Sequence, residues 1–251
     1  MPGLPTSTAL LARLKVFEPT VRPTMKGVRS HGSSWGESTI TGRLGQRHAD
    51  LLEMILFSAL EHQREPDGRI HLLVDDYQVR KGLEKGYVAS GSQYGVWLRE
   101  LQTATLELTP DGWESPVTGR LIDEVGVSAE RVKAPGGLRA VKEKDGERHL
   151  KLVILGQAMS KLIGKDVPCF YDPRLVADCW AGIAKAVVRH VLTHKKFLDA
   201  GWRLETVLNY VGAEDKSKWP FRRRELGACA EYLSGFGIRV ENERVFRKMQ
   251  V

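Results

Sequence analysis

The chain has 251 residues, which is roughly two domains at about 100–150 residues each, and its 42% hydrophobic content excludes a wholly disordered polypeptide. An excess of 38 Lys+Arg over 31 Asp+Glu gives a net charge of +7 and a pI near 9.3, which points to a polyanionic partner. No apolar run reaches the about 18 residues of a membrane span, and the N-terminus lacks an apolar stretch with a small-residue cleavage site, so a cytoplasmic protein is expected.

Residues 1–42 contain 20 Pro, Gly, Ser or Thr and no sustained periodicity, the composition of a flexible, disordered basic arm. Leu52, Ile55, Leu56, Ala59 and Leu60 then follow the i, i+3, i+4, i+7, i+8 rule and predict an amphipathic helix over 45–63, ended by Glu65-Pro66-Asp67-Gly68. Ile70 to Val74 reads as a short strand, and Asp75 or Asp76 caps a helix running to about Leu83. After a turn at Gly86–Gly91, a third helix starts near Ser92 with Tyr94, Trp97, Leu98 and Leu101 on one face. Strands follow at Thr105–Thr109, Val117–Val127 and Leu138–Leu155, the last folded about Lys144-Asp145-Gly146-Glu147. Helix, strand, helix, helix, hairpin is the order of a winged helix, whose third helix enters a DNA groove while the hairpin lies along the backbone.

The same order recurs. Val176, Trp180, Ile183, Val187 and Val191 predict a long helix over 174–196, with Trp97 and Trp180 both read as core. Trp202-Arg203-Leu204 is a short extended piece, and Leu204, Val207, Leu208 and Val211 line a second helix. Beyond the turn Lys216–Pro220 a third helix spans 220–234, with Leu226, Cys229, Ala230 and Leu233 on one face, stopped by Gly235 and Gly237. Ile238–Met249 around Glu241-Asn242-Glu243 is a second hairpin. The predicted fold is therefore α+β: two tandem winged-helix domains, 43–165 and 166–251, after the arm 1–42. A single larger α/β domain would need more alternating strands than the sequence offers.

Catalytic patterns are missing. There is no GxxxxGK[ST] and no GxGxxG after a strand, and Gly82, Gly86, Gly91 and Gly95 are spaced for turns. His190 and His194 lie at i, i+4, but His-Val-Leu-Thr-His is not H-E-x-x-H and has no evident third ligand; they are read as solvated histidines near a basic helix end. His71 and His149 are isolated, so the paired-histidine metal strand of a replication nuclease is absent, as is any G-x-S-x-G. Cys169, Cys179 and Cys229 form no CxxC and read as reduced buried thiols. No enzyme, cofactor or metal is expected.

Charge is more informative. Residues 1–50 carry 7 basic and 3 acidic side chains, residues 51–173 carry 16 and 19, and residues 174–251 carry 15 and 9. The segment Lys216-Ser217-Lys218-Trp219-Pro220-Phe221-Arg222-Arg223-Arg224 packs five cations into nine residues at the start of the last predicted long helix. There the helix dipole and free N–H groups already attract phosphate, so Lys216, Lys218, Arg222, Arg223 and Arg224 are the first candidates for DNA contact; a merely solvated charge run is the alternative. Trp219 either stacks on a base or, more simply, packs across the turn. In the first unit the matching residues are Ser92, Gln93 and Arg99. The hairpins supply Lys142 and Lys144, within a 131–151 stretch of 7 basic and 3 acidic residues, and Arg239 and Arg244.

Gly201-Trp202-Arg203-Leu204-Glu205-Thr206, the basic turn, and Arg224-Glu225-Leu226-Gly227-Ala228-Cys229-Ala230-Glu231-Tyr232-Leu233-Ser234-Gly235-Phe236-Gly237 together resemble the C-terminal end of TrfA-type plasmid replication initiators. Trp97-Leu98-Arg99-Glu100-Leu101-Gln102-Thr103-Ala104-Thr105 is similar to that family's Leu-Gln-Ala-Thr helix end. The resemblance spans about residues 44–251. It implies tandem winged helices that bind direct repeats (iterons) of double-stranded DNA at a plasmid origin, open adjacent A·T-rich DNA and recruit the host initiator, helicase and sliding clamp, with homodimers restraining copy number. A clamp-binding Gln-Leu-x-Leu-Phe segment is not evident. A winged-helix transcriptional repressor and a protein-interaction module that binds no DNA are the two competing readings.

Overall fold

The segment read as a disordered arm is folded. In the computed structural model, which describes residues 3–23, 27–83, 91–128, 150–194 and 200–248, Ser7–Thr8 (β1) leads into the short helix Ala9–Arg13 (α1), and Val28–Ser33 (β2) and Gly36–Thr41 (β3) pair as an antiparallel hairpin. Few residues here are apolar, but Leu10, Leu11, Leu14, Val16, Phe17 and Ile40 are all buried. Distant partners complete the ordering: Ser7 pairs with Cys169 and Ile40 with Leu106. Local composition misses such pairings because the apolar surface that offsets the chain entropy lies elsewhere in the sequence.

Next comes Gln46–Phe57 (α2), shorter than the predicted 45–63. Ala59–Arg64 (β4) turns back through Glu65-Pro66-Asp67-Gly68 to pair with Ile70–Val74 (β5). The turn closes a hairpin, with Gly68 at φ +87°, a conformation that favours glycine. Leu60, counted on the helix face, sits on this exposed strand instead; cross-strand pairing overrode a helical spacing that short runs cannot prove.

Asp76–Leu83 (α3) is capped as predicted, Asp75 Oδ1 accepting from the Tyr77 N–H at 3.0 Å. Gly91–Thr103 (α4) buries Tyr94, Trp97, Leu98 and Leu101. The predicted strand Val117–Val127 is two strands: after Thr105–Pro110 (β6) come Val117–Arg120 (β7) and Ile122–Val127 (β8), which belong to different sheets. Lys151–Leu155 (β9) and Gln157–Lys165 (α5) follow. Most of the predicted hairpin, including the turn at 144–147, falls on residues 129–149, outside the described residues.

The two four-stranded antiparallel sheets have the orders β2-β3-β6-β7 and β4-β5-β9-β8. With β4 and the β6–β7 insertion set aside, what remains is α2, β5, α3, α4, β8, β9, with the strands ordered first, third, second. That is the winged-helix topology.

Pro168–Cys169 (β10) and Pro173–Ala177 (α6) lead to Gly182–Leu192 (α7). Then follow Trp202–Arg203 (β11), Leu204–Tyr210 (α8), a 3-10 turn at Lys216–Lys218, Trp219–Ala228 (α9), Ala230–Gly235 (α10), Ile238–Glu241 (β12) and Arg244–Arg247 (β13). The sheet order β11-β13-β12 is again first, third, second. The fold is thus α+β with the same wiring used twice.

Two predicted helices are interrupted. The helix over 174–196 breaks at Asp178–Ala181, and Trp180, read as core, is 59% exposed on the break. There the chain must pass Thr20 so closely that a Cβ on Gly182 would stand 2.5 Å from the Thr20 Cα. The helix over 220–234 divides at Cys229, which leaves Ala230 exposed.

One core surrounds α2 and reaches Ala177; a second surrounds α7 from Val176 to Val245. Between α2 and α7 lies a layer of buried charge. Lys185 Nζ donates to Asp50 Oδ2 at 2.6 Å and to the Ala177 carbonyl at 2.9 Å. Arg189 donates to both Glu53 oxygens (2.8 and 2.7 Å), to Asp50 Oδ1 (2.6 Å) and to Gln46 Oε1 (2.7 Å). The Tyr171 hydroxyl donates to Glu53 Oε1 at 2.6 Å. No helix among the described residues is long and apolar enough to cross a membrane.

Candidate nucleic-acid interface

The approach to α9 is tied down by side-chain hydrogen bonds. Trp219 is buried and its Nε1–H donates to the Ala213 carbonyl at 2.7 Å, so it packs across the turn. Asp215 caps the 3-10 turn, accepting from the Ser217 N–H at 3.1 Å and the Ser217 hydroxyl at 2.6 Å. Those bonds and nearby Lys218 hold its carboxyl below the usual range. Pro220 is in the first turn of α9, where a missing N–H costs no helical bond.

The five cations of this run divide into two sets. Arg222 is tied to Glu225 at 2.8 Å, and Arg223 reaches Glu243 at 2.9 Å and Glu205 at 3.6 Å. Lys216, Lys218 and Arg224 are exposed. Lys216 lies 5.8 Å from the Trp219 ring centroid, and Lys218 has a 3.0 Å surface contact to Asp215. Arg224 has no ion pair or hydrogen-bond partner among the described residues. Beyond it the exposed face of α9 carries Gly227 and Ala228, small enough to let the helix approach a groove floor closely.

The β12–β13 hairpin turns tightly at Asn242 and Glu243, with φ of +49° and +57°, the left-handed pair of a two-residue hairpin turn. Arg239 is exposed, 3.4 Å from Glu241. Arg244 is directed inward: its Nη1 donates to the Ala200 carbonyl at 2.7 Å and the Gly201 carbonyl at 3.3 Å, bracing the start of β11. Exposed Arg203, paired across the sheet with Arg244, adds a cation that no local pattern singled out.

In the first unit, Ser92 lies in the first turn of α4, and Gln93 and Arg99 are exposed on that helix with Val96 between them. Glu100, on its other side, meets His48 Nε2 at 2.7 Å and Arg47 at 3.1 Å, which docks α4 on α2. Lys142 and Lys144 lie outside the described residues.

His190, on α7, is buried, and His194, two residues past the end of that helix, is half-buried; neither is the solvated histidine that the spacing suggests. His190 has 0% exposure and is packed against Trp35, Trp202 and Tyr210, with its ring centroid 4.9 Å from that of His194. Neither His190 nitrogen has a hydrogen-bond partner among the described residues. Their misreading has a simple cause: Trp35 comes from the segment taken for an arm. Among the described residues no group of three metal-ligating side chains exists. Burial pushes the His190 pKa down to about 3 and that of His194 down to about 4. As pH falls below the ordinary value of 6.5, the unfolded chain therefore binds a proton that native His190 refuses. Stability is expected to drop by about 2 kcal/mol between pH 7 and pH 5 from His190 alone. Urea midpoints at the two pH values test this, and His190→Leu should flatten the difference; an unchanged pH dependence in that variant would acquit the residue.

No protein-family model matches the chain, and no curated protein matches it in sequence. Among solved structures, the chain is similar to domains 2-3 of RctB (RctB-155-483), with a TM-score of 0.47 and 10% sequence identity over 91% of this chain and 83% of that chain.

Proposed function

We propose that the protein is a non-enzymatic, sequence-specific binder of double-stranded DNA that initiates replication at directly repeated origin sites. The observation that carries this reading is the outward set Lys216, Lys218 and Arg224 at the start of α9, the helix that a winged helix lays in the major groove. In this reading Arg224 reads a base edge, Lys216 and Lys218 meet phosphate, and Arg203 and Arg239 meet the backbone. Arg222 and Arg223 reach DNA by exchanging their carboxylate partners for phosphate, and Arg244 holds the wing. The first unit contributes a less charged surface through Ser92, Gln93 and Arg99, and Lys142 and Lys144 of the basic 131–151 stretch are further candidates for phosphate contact. The resemblance to TrfA-type initiators supports the replication role, the A·T-rich opening and the host initiator and helicase as partners.

A gel-shift titration on the DNA flanking the gene tests the proposal. Direct repeats should bind at least about 10³-fold more tightly than shuffled duplex, with log K falling against log salt at a slope of about −3 or steeper. Equal affinity for repeats and shuffled DNA would refute sequence-specific binding. Palindromic sites bound by a stable dimer would favour a repressor, and no duplex binding at any salt a protein-interaction module.

A further inference from the structure

Two of the three cysteines meet in the second core. Cys179 lies in the break between α6 and α7, and Cys229 at the junction of α9 and α10. They are 50 positions apart in sequence, yet their sulfurs are 3.5 Å apart, and both residues are buried as free thiols. Cys169 is elsewhere, on β10, with its sulfur 4.0 Å from the Val167 carbonyl.

Each sulfur sits where a helix is interrupted, on backbone that adjusts more readily than a helix interior. The Cys229 N–H is shared between the Glu225 and Leu226 carbonyls, both at 3.1 Å, as at a fraying helix end. A disulfide has a sulfur separation of about 2.05 Å, so the pair closes with about 1.5 Å of approach. The cationic helix α9 ends at this junction, five residues after Arg224.

We propose that Cys179 and Cys229 form a peroxide-responsive dithiol that closes to a reversible disulfide and thereby displaces α9. The two sulfurs share one buried site, so either can attack first; in one order the attack comes from Cys179. Its sulfur takes one oxygen of hydrogen peroxide as the O–O bond breaks, giving a sulfenic acid and one water. The Cys229 sulfur then attacks that sulfur, the S–S bond forms, and the hydroxyl leaves with the Cys229 proton as a second water. Two electrons pass from the two thiols to the peroxide. A water-sized oxidant suits sulfurs that are closed to larger reagents. The consequence for DNA rests on the reading proposed above: displacing α9 misplaces Arg224 and its neighbours.

The test uses the full chain, treated with hydrogen peroxide, then unfolded, alkylated and weighed intact. One alkyl group, on Cys169, is expected on a chain lighter by two hydrogens, with three alkyl groups after dithiothreitol. Cys179→Ser and Cys229→Ser should each abolish the bond. Oxidised protein should bind the origin repeats at least about fivefold more weakly than reduced protein, reversibly, and oxidised Cys229→Ser should show no such loss. Three alkylatable thiols after peroxide, or a bond through Cys169, would overturn the pairing. A closed disulfide with full DNA affinity would overturn the displacement of α9. Failure of the reduced protein to bind duplex would overturn the DNA reading instead, and the mass result would still decide the disulfide.

Discussion

Arg189→Met should destabilise the protein by about 3–5 kcal/mol, the cost of leaving buried charge without its partner. Arg189 supplies four hydrogen bonds to Gln46, Asp50 and Glu53, all side chains of α2. Without it Glu53 keeps the Tyr171 hydroxyl and Asp50 keeps Lys185, but each loses its bonds to the guanidinium. Burial alone would raise the Asp50 pKa, but Lys185 and Arg189 more than offset it and hold the carboxylate below its ordinary 3.8. Its share of stability is therefore present above that value and is lost as pH falls towards the folded-state pKa. Urea unfolding at neutral pH measures the Arg189→Met effect. A combined replacement of Asp50, Glu53, Lys185 and Arg189 by apolar residues of similar volume should recover most of the loss, because no charge is then orphaned. Wild-type stability in Arg189→Met would mean that the network contributes nothing.

The second large effect concerns DNA. Lys216→Ala, Lys218→Ala and Arg224→Ala combined should weaken binding to the origin repeats by about 100-fold and reduce the salt slope by about 2–3. All three side chains are exposed, so the thermal midpoint should hardly move. Arg222→Ala with Arg223→Ala should lower affinity less, because those guanidinium groups are half-buried against their carboxylate partners, whereas Lys218 meets Asp215 on open surface. Fluorescence anisotropy over a salt series separates the two sets. Undiminished affinity in the triple variant would place the interface elsewhere.

The second unit was readable because its information is local. Val207, Leu208, Leu226 and Leu233 repeat at helical spacing and are all buried, and Asn242-Glu243 marks the wing. The first unit was harder, since the β6–β7 insertion pairs with a hairpin from the N-terminal segment, and pairing over such distances leaves no local trace. The charged layer does leave a mark in the sequence. Asp50 and Glu53 at i, i+3, and Lys185 and Arg189 at i, i+4, interrupt otherwise apolar helices with opposite signs. Two such stripes have a reason to face each other, because a buried charge requires a partner. Within the basic run, the sequence offered no way to tell Arg224 from Arg223: Glu243 of the wing takes Arg223, and that contact exists only in the folded unit.

The α2–α7 contact also bears on what the protein can measure. Each of these helices opens one winged-helix unit, and buried ion pairs join them directly where a flexible tether would have served the chain equally well. Two groove-reading helices carried on tethered units tolerate a range of distances along a duplex. On the DNA reading proposed above, joined units would work as a calliper of fixed jaw, accepting one spacing and one rotational phase. Selectivity on DNA would then come from the interval between half-sites as much as from the bases within them, and the gauge would be set by four buried side chains that never touch the duplex.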